Sequence, residues 1–132
     1  MKLIMHYHKT ILLSFLILFL SLYNFSGISR VVQIFPHEDK VVHFLMYFAI
    51  AITVLFEHNL KTGRTDRKSL TVNIYPLILG ALLEIIQKVY TVNRSGDWLD
   101  FAADVSGILA ANLIFLLIRD VKFFRRIIRF PF

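Results

Sequence analysis

Four apolar blocks separated by short polar segments constrain this chain more than any other feature of it. The spans they define run over residues 11–28, 41–57, 70–90 and 99–118. Each is about as long as the ~17–25 residues an α-helix needs to cross a hydrocarbon core. A soluble four-helix bundle would need a polar outer face on every block, and ILLSFLILFLSLYNF in the first offers none. The 57% hydrophobic content and mean hydropathy of +0.65 also exceed what a soluble domain carries, roughly 45–50% apolar. The expected fold is therefore all-α, a polytopic membrane protein forming one domain over 1–132. Its core would be a four-transmembrane-helix bundle.

Composition narrows the chemistry. With no cysteine, disulfides, thiolate nucleophiles and Cys-based metal sites are excluded. No glycine-rich nucleotide loop is present, and no cofactor is expected. A cleaved signal peptide is the minor reading of the first block: Lys2 and Lys9 precede it, but no A-x-A cleavage site follows.

The net charge of +6 raises the question of nucleic acid, and its distribution answers no. Lys2 and Lys9, then Lys61, Arg64, Arg67 and Lys68, then Arg119, Lys122, Arg125, Arg126 and Arg129 all fall on one side of the four spans. The other side holds Arg30, Lys40, Lys88 and Arg94. By the positive-inside rule both termini and the middle loop are expected in the cytoplasm. The tail, 119–132, is amphipathic as a helix. Lys122, Arg125, Arg126 and Arg129 lie opposite Phe123, Phe124, Ile127 and Ile128, a pattern suited to the headgroup layer of an anionic leaflet.

The polar residues near the spans gather at one level. Asp39, His43 and Tyr47 recur every four residues, one stripe of one helix, with Lys40 beside them. Glu84 and Gln87 lie about one turn apart near the outer end of the third span. Asp97, Asp100 and Asp104 descend into the fourth, next to Arg94. All ten map to the outer third of the bundle, and the inner third is expected to be free of such groups. A carboxylate at a helix centre costs at least ~2.5–3.5 kcal/mol on insertion scales, so Glu84 and Asp104 are expected to face partners or water.

Three readings of this cluster stand side by side. It is an outward-facing site that binds an amphiphile, or a set of buried ion pairs that fixes helix order, or an intramembrane hydrolase or transferase acting on lipid phosphate. The last draws on His43, Glu84 and the aspartates as potential metal ligands. No H-E-x-x-H or His pair is present, however, and no metal ligand is assigned from sequence. Transport by a monomer is disfavoured, because the inner halves of the spans are nearly uncharged.

Other features read as architecture. Ala103, Gly107 and Ala111 form a small-residue stripe for close helix approach, Gly80 does the same in the third span, and Pro76 is expected to bend that span. His6, His8, His37 and His58 read as solvated. Trp98 and Tyr90 suit an outer aromatic belt.

DKVVHFLMYF, EIIQ and RSGDWLDFAADVSG together resemble the VanZ-like family of small bacterial membrane proteins. That family's pattern is D-K-x-x-H-F-x-x-Y, then E-x-x-Q, then an Arg followed by D-x-x-D-x-x-x-N-x-x-G. The resemblance covers roughly residues 39–107, and Asp104 stands where the family usually carries Asn. It implies a multi-pass protein of the bacterial cytoplasmic membrane. By analogy with the family's link to teicoplanin resistance, the implied partners are membrane lipids and a cell-wall precursor or lipoglycopeptide.

Overall fold

A computed structural model of the protein describes residues 7–22, 38–63, 67–90 and 98–118. These form four α-helices and one 3-10 helix, with no strand among the described residues: α1 (His8–Leu22), α2 (Glu38–Thr62), the 3-10 helix Arg67–Asn73, α3 (Ile74–Tyr90) and α4 (Trp98–Ile118). Three helical segments, Asp39–Thr62, Ser69–Val89 and Trp98–Ile118, are long and apolar enough to cross a membrane. The expected spans at 41–57, 70–90 and 99–118 are thus helical. The described part of the first, α1, has 15 residues. At 1.5 Å per residue it falls short of the ~30 Å hydrocarbon core. The tail expected to lie at the interface is outside the described residues.

Local sequence explains the helix limits. α2 begins at Glu38, and Asp39 stands in its first turn, where the positive end of the helix dipole favours an acid. Lys61 occupies its last turn, and Gly63 ends it at φ 66°. The Gly63 N–H donates to the Asn59 carbonyl at 2.7 Å, a left-handed C-terminal stop that favours glycine. Pro76 is the third residue of α3. There its missing N–H is one of the first four, which have no intrahelical acceptor anyway. A change of helix type, from 3-10 to α, lies just before it.

The packing is inverted relative to a soluble bundle. On α1, Thr10, Ser14, Ile17 and Ser21 are buried, while Leu12, Phe15 and Phe19 are exposed. Leu45, Ile85, Val89, Leu99, Leu109 and Leu117 are exposed as well, and His43, Glu57, Gln87 and Asp104 are buried. Large apolar side chains facing outward over a partly polar interior suit a hydrocarbon solvent. Hydroxyls within the helices satisfy themselves locally: Ser14 Oγ donates to the Thr10 carbonyl, Thr53 to Ala49 and Ser106 to Ala102, each at 2.7 Å.

The tightest contact joins α2 to α4. At Gly107 a Cβ would lie 2.9 Å from the Phe48 amide nitrogen and would collide with the Phe44 carbonyl oxygen. Only glycine lets the two backbones meet. Ala111 beside it is fully buried in a core with Ile17, Tyr47, Ile50, Ala51, Leu83 and Ile108. The helices alternate in direction. The start of α1 meets the end of α2 through Lys9, Thr10 and Glu57, and the end of α1 meets the end of α3 through Ser21 and Gln87. Asn73, at the start of the third segment, meets Asn112 in the second half of α4.

Candidate functional site

At the end of the bundle where α2 and α4 begin and α3 finishes, the structure brings together most of the residues singled out by sequence. Lys40, in the first turn of α2, donates to Asp39 at 3.2 Å and across to Asp100 of α4 at 2.9 Å. One turn deeper, His43 Nδ1 and Asp104 Oδ1 are 2.9 Å apart. The four-residue spacing in each helix produces this two-rung ladder, since 39, 43 and 47 share a face of α2, and 100 and 104 share a face of α4. Side-chain exposure falls from 48% at Asp39 through 22% at Lys40 and 15% at Asp100 to 7% at His43 and 2% at Asp104. The polar line therefore starts at the surface and ends in the core.

Below the second rung lies Tyr47. Its ring is 1% exposed, and its hydroxyl has no hydrogen-bond partner among the described residues. A Cβ placed on Gly80 of α3 would sit 3.1 Å from Asp104 Oδ2 and 3.3 Å from Tyr47 Cζ. The phenol and the carboxylate thus converge over the bare backbone of Gly80. From the same helix comes Glu84. His43, Glu84 and Asp104 each present a donor atom within 4.8 Å of the other two. No metal ligand was assigned from sequence, and this grouping of one imidazole and two carboxylates from three helices comes from the tertiary fold.

Gln87 goes elsewhere. It is buried, and its amide donates to the Ser21 carbonyl at 2.9 Å, one of the last four carbonyls of α1, which lack intrahelical partners. Its role is to tie α3 to α1. Arg94 and Asp97, the other two expected members of the cluster, lie outside the described residues.

The opposite end of α2 corrects the expectation that polar groups avoid that level. Glu57 is buried. Its carboxylate accepts from the Lys9 amide at 2.9 Å, the Thr10 amide at 3.1 Å and the Thr10 hydroxyl at 2.6 Å. It caps the N-terminus of α1 from another helix, where the dipole also favours a negative charge. His58, read from sequence as solvated, is within 3.1 Å of the Tyr7 hydroxyl, and Lys61 Nζ lies 5.2 Å from the Tyr7 ring centroid. Partial burial and the nearby Glu57 carboxylate push the Tyr7 phenol up from its ordinary value. Ser14 and Tyr75 hydroxyls meet at 2.7 Å, and the Asn73 amide donates to the Asn112 side-chain oxygen at 2.6 Å. Glu57 sits at the last position of an apolar block, which was the available signal. Its partners are about fifty residues away, so their identity was not legible.

No family model, curated protein or solved structure matches the chain.

Proposed function

We propose that this is a VanZ-like protein of the bacterial cytoplasmic membrane that binds the headgroup of a cell-envelope amphiphile at the Lys40–Asp100 lip. In this reading the fourfold crossing is completed by the first block, and both termini face the cytoplasm. The observation that carries the proposal is the gradient of burial along the polar line, from the half-exposed Asp39 to the buried Asp104. A purely structural ion-pair network has no need of a wet end.

The chemistry follows from the pairing. Among its contacts Lys40 meets a partly buried carboxylate, Asp100, at 2.9 Å and a more exposed one, Asp39, at the longer distance of 3.2 Å. An exposed pair of this kind is worth only ~0–1 kcal/mol, so a phosphate or carboxylate headgroup displaces Asp39 from Lys40 at little cost. Asp100 keeps the ammonium in place meanwhile. Exposed Val41, Leu45, Ile85, Val89 and Leu99 flank the lip and offer an acyl chain an apolar track. A lipid-linked precursor or a lipoglycopeptide has both parts.

The test is retention of an anionic lipid. Protein reconstituted with spin-labelled phosphatidylglycerol should show an immobilised lipid fraction, and Lys40→Ala should reduce it about tenfold, the equivalent of one charge-assisted contact of ~1.5 kcal/mol. Equal immobilisation by wild type and variant, with helicity unchanged, would leave the ion pairs a structural role only.

A further inference from the structure

We infer that His43, Glu84 and Asp104 form a binding site for one divalent cation of the zinc or manganese class, closed from below by Tyr47. The inference is independent of headgroup binding at Lys40, since it uses different residues one turn deeper.

Three observations carry it. The first is the donor geometry. Ligands held ~2.0–2.1 Å from a metal lie roughly 3.0–3.4 Å from one another in octahedral or tetrahedral sites. The His43–Asp104 edge, at 2.9 Å, is already at that spacing. All three donor atoms lie within 4.8 Å of one another, so a closure of at most about 1.5 Å brings them to coordinated edges.

The second is Tyr47. A buried phenol hydroxyl is normally hydrogen-bonded, yet this one is 1% exposed and has no partner among the described residues. It converges with Asp104 Oδ2 over Gly80. A cation at the three donors, or a water bound to that cation, gives the hydroxyl the partner it otherwise lacks. Gly80 contributes by absence, because a side chain there would press on both the phenol and the carboxylate.

The third is charge. Two carboxylates and one imidazole gather within 4.8 Å of one another, His43 and Asp104 buried and Glu84 half-buried. The cation placed nearest in sequence, Lys40, is engaged by Asp39 and Asp100. A divalent ion would interact with both carboxylates at once, beside the His43–Asp104 contact. One nitrogen and two carboxylate oxygens suit a borderline cation better than Ca2+ or Mg2+, which take oxygen ligands. Three protein ligands leave positions open for water or an incoming oxygen.

The experiment uses the full chain in detergent, stripped with a chelator and then supplied with Zn2+ or Mn2+ alone. Metal content is measured after gel filtration, and thermal unfolding is followed with and without the ion. Wild type should retain about one metal per chain and unfold at a higher temperature when loaded. Glu84→Gln and Asp104→Asn, which preserve shape, should each weaken retention at least ~10-fold, whereas Lys40→Ala should retain the ion. Tyr47→Phe, which removes no hydrogen bond within the described residues, provides a folded variant whatever happens to the others, and it should bind less tightly than wild type. Folded wild type that holds neither metal overturns the inference. So does equal retention by wild type, Glu84→Gln and Asp104→Asn, which would place the metal elsewhere. Neither result touches the lipid measurement on Lys40.

Discussion

The two ends of α2 carry the same chemical set in two different states. At one end stand Glu57, His58, Lys61 and Tyr7, and at the other Asp104, His43, Lys40 and Tyr47. The Glu57 carboxylate receives three donors from the start of α1, and the Tyr7 hydroxyl meets His58. At the other end a buried hydroxyl is unpartnered among the described residues, and two carboxylates crowd one imidazole. A carboxylate whose lone pairs are filled by the protein is a joint. One that gathers beside another acid and a buried hydroxyl without a partner among the described residues is, on the inference above, a receptor. Composition alone does not separate the two, because the difference lies in which donors reach the oxygens.

The largest expected effect breaks both ends together. Gly107 lies between them, at the point where α4 touches the α2 backbone, so Gly107→Leu should force the helices apart. A cost of ~3 kcal/mol or more is expected, read as a fall in the unfolding temperature, with loss of both lipid immobilisation and metal retention. An unfolding temperature within a degree of wild type would mean that the close approach is not what holds the bundle.

Removing the joint should cost less and should leave the receptor intact. Glu57→Ala leaves the Lys9 and Thr10 amides and the Thr10 hydroxyl without their acceptor, a loss of about 2–3 kcal/mol, while metal content stays near wild type. If metal retention fell in step with stability, the two ends would be one cooperative unit rather than a joint and a receptor.

The receptor end should respond in the opposite manner. Asp104→Asn keeps a hydrogen-bonding oxygen beside His43 and exchanges a carboxylate acceptor for a neutral one, so the metal-free protein should lose only about 1 kcal/mol of stability while losing the ion. A large destabilisation without metal would show that the His43–Asp104 contact holds the fold as an ion pair, with no cation needed.

The finest discrimination comes from the two tyrosines. Tyr7→Phe forfeits the contact with His58 and should destabilise by ~0.5–1.5 kcal/mol. In metal-free protein Tyr47→Phe should be neutral or slightly stabilising, because the hydroxyl it removes has no partner among the described residues. Paired unfolding curves of the two variants check the signs, and the same sign for both would erase the distinction between a closed and an open end.

Much of this site was legible in sequence for one physical reason: a helix maps spacing onto faces. Spacings of four put Asp39, His43 and Tyr47 on one stripe and Asp100 and Asp104 on another, and the structure joins those stripes rung by rung. Spacing also placed Glu84 near the same level, but it could not divert Gln87 to the Ser21 carbonyl. It gave no reason to look at Glu57, whose partners belong to a different helix.

By itself, then, the sequence determined the apolar helices, since hydropathy and length are local properties. It also determined which residues of each helix share a face, since the 3.6-residue period is local too. Only the tertiary structure decided which face meets which, because that depends on where backbones can approach, as at Gly107, and where a missing side chain leaves room, as at Gly80. Those two glycines, on different helices, set the distance between His43, Glu84 and Asp104. The difference between a capped carboxylate at one end of α2 and a shared one at the other follows from contacts between residues about fifty to sixty positions apart in the chain, and no local pattern encodes it.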